Sequence, residues 1–216
     1  MTFRLTGARW LAIAAVTALS TLSLSGPAHA DDSSAPPSGE VTLDVQTVNG
    51  SGCPAGSAWA SMQPDNTGFR INYSAFRAAD GGSANPTDVR KNCQVNLLVH
   101  IPQGFTYAIA RADYWGRAHL EPGATALERT NYYLQGSSNN TYADHYFSGP
   151  FDGSFRTTDI TAATALVWAP CGVTRSLNVN TELRVDAGSS SHTSSISLRA
   201  SDGDVYTLVQ FQWRQC

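Results

Sequence analysis

Residues 177–185 read Leu177-Asn178-Val179-Asn180-Thr181-Glu182-Leu183-Arg184-Val185, and their order decides the fold class. Successive side chains of a strand point to opposite faces. Leu177, Val179, Leu183 and Val185 therefore flank Thr181 on one face, while Asn178, Asn180, Glu182 and Arg184 occupy the other. A helix, with its 3.6-residue period, would mix the two sets around its axis. The segment reads as a strand buried on one side and polar on the other.

The same period recurs outward from this stretch. Val205, Val209, Phe211 and Trp213 alternate with Gln210, Gln212 and Arg214 at the C-terminus. Val95, Leu97, Val99 and Ile101 alternate with Gln94, Asn96 and His100, although Leu98 breaks the polar side. Val41, Leu43 and Val45 alternate with Thr42, Asp44 and Gln46. Between such segments lie Asn49-Gly50-Ser51-Gly52, Asp80-Gly81-Gly82-Ser83, Gly136 to Asn140, Gly188 to Ser191 and Asp202-Gly203, all turn chemistry. Helical periodicity is confined to a short candidate at Ser74 to Ala79. Many short strands at close spacing predict an all-β, antiparallel β-sandwich, jelly-roll-like.

The first thirty residues have another purpose. Arg4 and Arg9 precede an apolar run from Trp10 to Leu24, and Ala28-His29-Ala30 supplies small residues before a polar stretch. This is the pattern of a signal peptide, residues 1–30, cleaved after Ala30. Residues 31–40, made of Asp, Ser, Pro and Ala with Gly39 and Glu40, predict a flexible arm, and residues 41–216 a single domain. The expected location is secreted and extracellular, with no membrane association once the leader is removed.

Cys53, Cys93, Cys171 and Cys216 all follow the leader, and an even cysteine count in an exported chain points to disulfides. Three pairings are open. Sequential pairing closes the shorter loops and is the expected one. No C-x-x-C spacing and no histidine beside a cysteine occurs, so neither metal nor cofactor is expected. Cleavage after Ala28 would instead expose His29, a potential copper ligand, but small-x-small favours Ala30.

The chain carries 14 basic and 17 acidic side chains, a formal −3. Loss of Arg4 and Arg9 with the leader makes the remainder more acidic still. That balance argues against a nucleic-acid partner, which calls for clustered Lys and Arg.

Several stretches carry a resemblance: Val48-Asn49-Gly50-Ser51-Gly52-Cys53-Pro54, Arg90-Lys91-Asn92-Cys93-Gln94, Ile101-Pro102-Gln103-Gly104-Phe105, Pro170-Cys171-Gly172 and Trp213-Arg214-Gln215-Cys216. They resemble a secreted four-cysteine family catalogued as domain of unknown function forty-three sixty, found in actinomycete bacteria and filamentous fungi. The resemblance implies a small exported, cysteine-bridged domain and transfers no catalytic residue. The short alanine-rich leader suits a bacterial source.

Catalytic signatures are thin. No G-x-S-x-G elbow occurs, and Ser190-Ser191-His192 belongs to a serine-rich loop. A glycosidase needs two carboxylates flanking a sugar bond; Asp113, Glu121, Asp159 and Glu182 are candidates without a visible pairing, Glu182 being the best placed. Asp202-Gly203-Asp204 reads as a hairpin turn rather than a calcium loop.

Binding needs no activated group. Tyr107, Tyr114, Trp115, Tyr132, Tyr133, Tyr142 and Tyr146 make the middle of the chain aromatic-rich, whereas Trp59, Trp168 and Trp213 are expected in the core. Rings stack on sugars, while amide, carboxylate and guanidinium groups bond their hydroxyls. The leading expectation is a monomeric, non-catalytic recognition domain for an extracellular polysaccharide, contacting it through Tyr114, Trp115, Asn178, Asn180, Glu182 and Arg184. A secreted protein partner, engaged by the arm or a sheet edge, is the second reading. A carboxylate-dependent hydrolase is the third.

Overall fold

A computed structural model describes residues 34–138, 141–199 and 205–216. The expected signal peptide, Asn139-Asn140 and Asp202-Gly203-Asp204 lie outside the described residues. Among the described residues, twelve strands form two antiparallel sheets packed face to face. The five-stranded sheet has the order β1 (Thr42–Asn49), β5 (Arg90–His100), β10 (Ser176–Asp186), β7 (Thr125–Leu134), β8 (Thr141–Ser148).

The other sheet runs β2 (Ala58–Met62), β3 (Gly68–Tyr73), β12 (Thr207–Gln215), β6 (Phe105–Leu120), β11 (Ser194–Ser197), β4 (Arg77–Asp80), and β9 (Phe151–Ile160) pairs with the free side of β6. Between consecutive strands the chain passes seven times from one sheet to the other. The sandwich and its jelly-roll habit are as the alternation predicts. Ser74 to Ala79 is no helix: its second half begins β4, whose Ala78 and Ala79 are buried by pairing with β11.

The core lies between the sheets. Val95, Leu97, Val179, Leu183, Phe69, Ile71, Val209 and Trp213 are all buried there, each from the face its strand's alternation assigns. Burying a side chain of this size stabilises by about 1.5–3 kcal/mol, so the two sheet faces supply the main driving force. Trp213 also donates from its indole nitrogen to the Asn66 carbonyl at 2.9 Å. Trp59 departs from expectation, because it projects from the outer face of the edge strand β2 and is 48 % exposed.

Two bulges reset the alternation. In β1 the pairing with β5 skips Gln46, so Leu43 points inward at an odd position and Val48 at an even one. In β6 the pairing with β12 skips Ala110. Tyr107 and Ile109 face the core before it, and Ala112, Tyr114, Ala118 and Leu120 after it. A bulge places two residues opposite one, which shifts every later side chain to the other face.

Disulfides join Cys53 to Cys93 and Cys171 to Cys216, the sequential pairing. The first staples the chain just beyond β1 to the middle of β5, where Gly50, at φ 142°, leaves no space for a Cβ beside the Asn92 carbonyl. Residues 34–40 of the expected arm are bonded to the domain. Ser34 donates its N–H to the Trp213 carbonyl at 2.7 Å, Asn66 bonds the Pro37 and Gly39 carbonyls, and Pro37 is buried. Backbone groups with such partners are held rather than free.

Candidate functional site

The outer face of the five-stranded sheet carries four of the six expected binding residues. Asn178, Asn180, Glu182 and Arg184 project from β10 away from the core, with Leu177, Val179, Thr181, Leu183 and Val185 buried behind them. Strand register then supplies neighbours that alternation cannot. Asn49, Gln94, Asn180, Asn131 and Tyr142 are consecutive cross-strand partners from β1 through β5, β10 and β7 to β8. Four strand spacings at about 4.8 Å each make this row roughly 19 Å long. Asn92, Glu182, Arg129 and Asp144 form a second row beside it.

Charges on this face are largely matched. Glu182 accepts from Arg90 Nε at 2.7 Å and from Arg184, and Arg129 Nε donates to Asp144 at 2.6 Å. Partial burial would raise the Glu182 carboxyl, but Arg90 and Arg184 outweigh it and hold it below the ordinary range. The amides are less occupied. Gln94 and Asn96 both donate to Asn178 Oδ1, at 3.3 and 2.9 Å. Asn180 Oδ1, in contrast, is buried and has no hydrogen-bond partner among the described residues. It lines a groove of about 240 Å³ with Asn92, Gln94, Asn131, Tyr142 and Glu182. Tyr142 and Tyr146 stand at the β8 edge, 65 % and 73 % exposed.

Tyr114 and Trp115 do not belong to this face. Adjacent strand residues cannot share a side. Tyr114 is fully buried between the sheets and donates to Asp159 Oδ2 at 2.9 Å. Trp115 lies on the outer face of the opposite sheet, where Tyr206 stacks on one side of the indole at 4.3 Å and the Arg156 guanidinium covers it at 4.6 Å. With both ring faces taken, it cannot serve as a stacking platform for sugar. Tyr107 and Tyr132 are also core residues.

Of the carboxylates considered for hydrolysis, Asp113 and Asp159 are locked in hydrogen bonds. Asp113 is buried beneath that outer face, and burial would raise its carboxyl; bonds from Arg111, Thr158 and Arg156 instead hold it at about 2. Asp159 accepts from Tyr114 and pairs with His145 Nε2 at 2.7 Å. Beside that pair lies Glu128, a residue the alternation does not single out, because both faces of β7 carry apolar residues. It is fully buried and accepts from Thr157 at 2.9 Å and Thr130 at 3.1 Å. Burial pushes its carboxyl up to about 7. The hydrogen bond to Asp159 raises the His145 imidazole. The expected role of Glu182 as acid or base gains nothing, since two guanidinium groups engage its oxygens. Among the described residues, no group of three His, Cys, Asp or Glu side chains is placed to hold a metal ion.

Two antiparallel sheets, a docked N-terminal segment and two structural disulfides define the class: a secreted, disulfide-bridged β-sandwich domain. The chain belongs to the family described as Domain of unknown function (DUF4360), which matches residues 39–216. It is 30 % identical over 182 residues to an uncharacterized secreted protein of Arthroderma benhamiae, covering 84 % of this chain and 74 % of that one. Among solved structures, the enzymatically active domain of bacteriophage CBA120 tailspike protein 4 aligns at 9 % identity and a TM-score of 0.24. That alignment covers 82 % of this chain and 19 % of the tailspike chain, a likeness too slight to place the domain in its fold.

Proposed function

We propose that this domain is a non-catalytic extracellular recognition module whose five-stranded outer face binds an uncharged cell-wall or environmental polysaccharide. The observation that carries the reading is a groove that brings the amides of Asn92, Gln94, Asn131 and Asn180 together among ion-paired Arg90, Arg129 and Glu182 and is edged by an exposed tyrosine. Side-chain amides both donate to and accept from hydroxyls, so the amides along this groove suit the hydroxyls of a sugar. Matched charges suit a neutral ligand, and Tyr142 offers a ring face.

Depletion of the oxidised protein by insoluble chitin, cellulose, starch and peptidoglycan tests this reading. Retention on one polymer is expected, with Asn180→Ala and Tyr142→Ala each weakening it about tenfold, a loss of about 1.4 kcal/mol. Trp115→Ala should retain binding if it stays folded. Retention that depends on Trp115 and ignores Asn180, or no retention at all, would remove this assignment.

A further inference from the structure

The opposite surface, the outer face of the seven-stranded sheet, has a different chemistry. Arg70 on β3, Arg111 and Arg117 on β6 and Arg156 on β9 share it with the acids Asp113 and Asp152 and with Glu121, bonded to His119, while Arg77 on β4 and Arg214 on β12 alternate onto the same side, all in a chain of net charge −3.

Two devices hold these cations in place. Asp113 pins two of them: Arg111 donates to it in bidentate fashion at 2.7 and 2.8 Å, and Arg156 at 2.9 Å. An aromatic stack orders the row, Arg70 lying 3.8 Å over the Tyr206 ring, Tyr206 on Trp115, and Trp115 under Arg156. The stack runs from β3 past the residue that leads into β12 to β6 and β9, so the ring edges, rather than their faces, meet solvent. A guanidinium stacked on a ring still bonds in its own plane. Arg70 has no ion pair or hydrogen bond among the described residues, and its buried Nε is unpartnered.

We infer that this face is a second binding surface, one that takes a carboxylate-bearing polysaccharide. Planar guanidinium groups match carboxylates bidentately, and a sheet face presenting them on neighbouring strands fits an extended polymer with repeating acids. Neutral groups lie among the cations, with Asn72 beside the exposed Trp59 and Ser61 beside Arg70 in the β2–β3 register. These suit sugar hydroxyls and a sugar ring. A nucleic acid draws much of its affinity from many phosphate contacts, which the net charge of −3 disfavours.

Affinity electrophoresis through gels containing sodium polygalacturonate, or its fully methyl-esterified form, tests the inference at low and high ionic strength. Retardation by the acid polymer alone is expected, weakening with salt, at least about tenfold weaker in Arg70→Gln/Arg156→Gln (about 1.4 kcal/mol) and unchanged in Asn180→Ala. Arg117→Gln covers the case in which the double variant misfolds. Its side chain is 53 % exposed and its ion pair among the described residues is with Asp152, at 3.8 Å, so the variant should fold normally and still weaken retardation. Retardation by the ester as strong as by the acid would overturn the proposal, as would full retention in Arg117→Gln, equal retardation by single-stranded DNA, or none at low salt.

Discussion

At pH 8, Glu128→Gln should be more stable than the parent protein by about 3 kcal/mol, with the difference vanishing near pH 4. The Glu128 carboxyl goes from 4.5 in the unfolded chain to about 7 in the folded one, and 1.36 kcal/mol per pH unit converts that into about 3 kcal/mol. The sign follows from proton binding. Between these values the folded state holds a proton that the unfolded state has released, so stability is full below 4.5 and is lost as pH rises through 7. His145, also raised by its bond to Asp159, acts in the same sense: its contribution is present below the ordinary imidazole value and declines as pH rises through the folded one. The substituted amide keeps a carbonyl for Thr157 or Thr130 and has no charge to bury. Urea unfolding from pH 4 to 9 measures this directly, and parallel stability curves for the two proteins would contradict it. At about 2–4 °C per kcal/mol for a chain of this size, the alkaline difference amounts to roughly 6–12 °C in Tm.

Removing the first disulfide should have an effect of similar size at every pH. Cys53 and Cys93 are separated by 40 residues and both side chains are buried. Cross-linking a loop of that length restricts the unfolded chain by about 4 kcal/mol in the chain-entropy model. Cys53→Ala/Cys93→Ala should therefore lose about 4 kcal/mol in urea unfolding. The matching Cys171→Ala/Cys216→Ala protein should lose a comparable amount. Its bridge closes a loop of 45 residues and fastens the end of β12, where the Cys216 N–H donates to the Gly104 carbonyl at 2.9 Å. A loss below about 1 kcal/mol in the first variant would mean that the loop from 53 to 93 is already constrained when unfolded.

Much of the fold is readable from alternation because burial on one face of a strand is a local, period-two property. Residues 177–185 show this cleanly: every side assigned to a core or outer face of β10 lies there. The disulfide pairing follows from short loops for the same reason. The candidate face was legible only in part. Asn178, Asn180, Glu182 and Arg184 could be placed on one side of a strand, but Gln94, Asn131 and Tyr142 become their companions only through pairing with β5, β7 and β8. Tyr114 and Trp115, neighbours in sequence, were expected at one surface and lie on opposite faces of β6.

Sequence alone determined the secreted class, the antiparallel sandwich, the sequential disulfides and the polar face of its clearest strand, since each rests on neighbouring residues or simple spacing. Tertiary structure alone decided which strands adjoin, how the bulge at Ala110 aims β6, that Glu128 is buried beside Asp159, and that Arg70, Arg111, Arg117 and Arg156 share one outer face. Those features arise from hydrogen-bond register between segments far apart in the chain, and no local pattern encodes register.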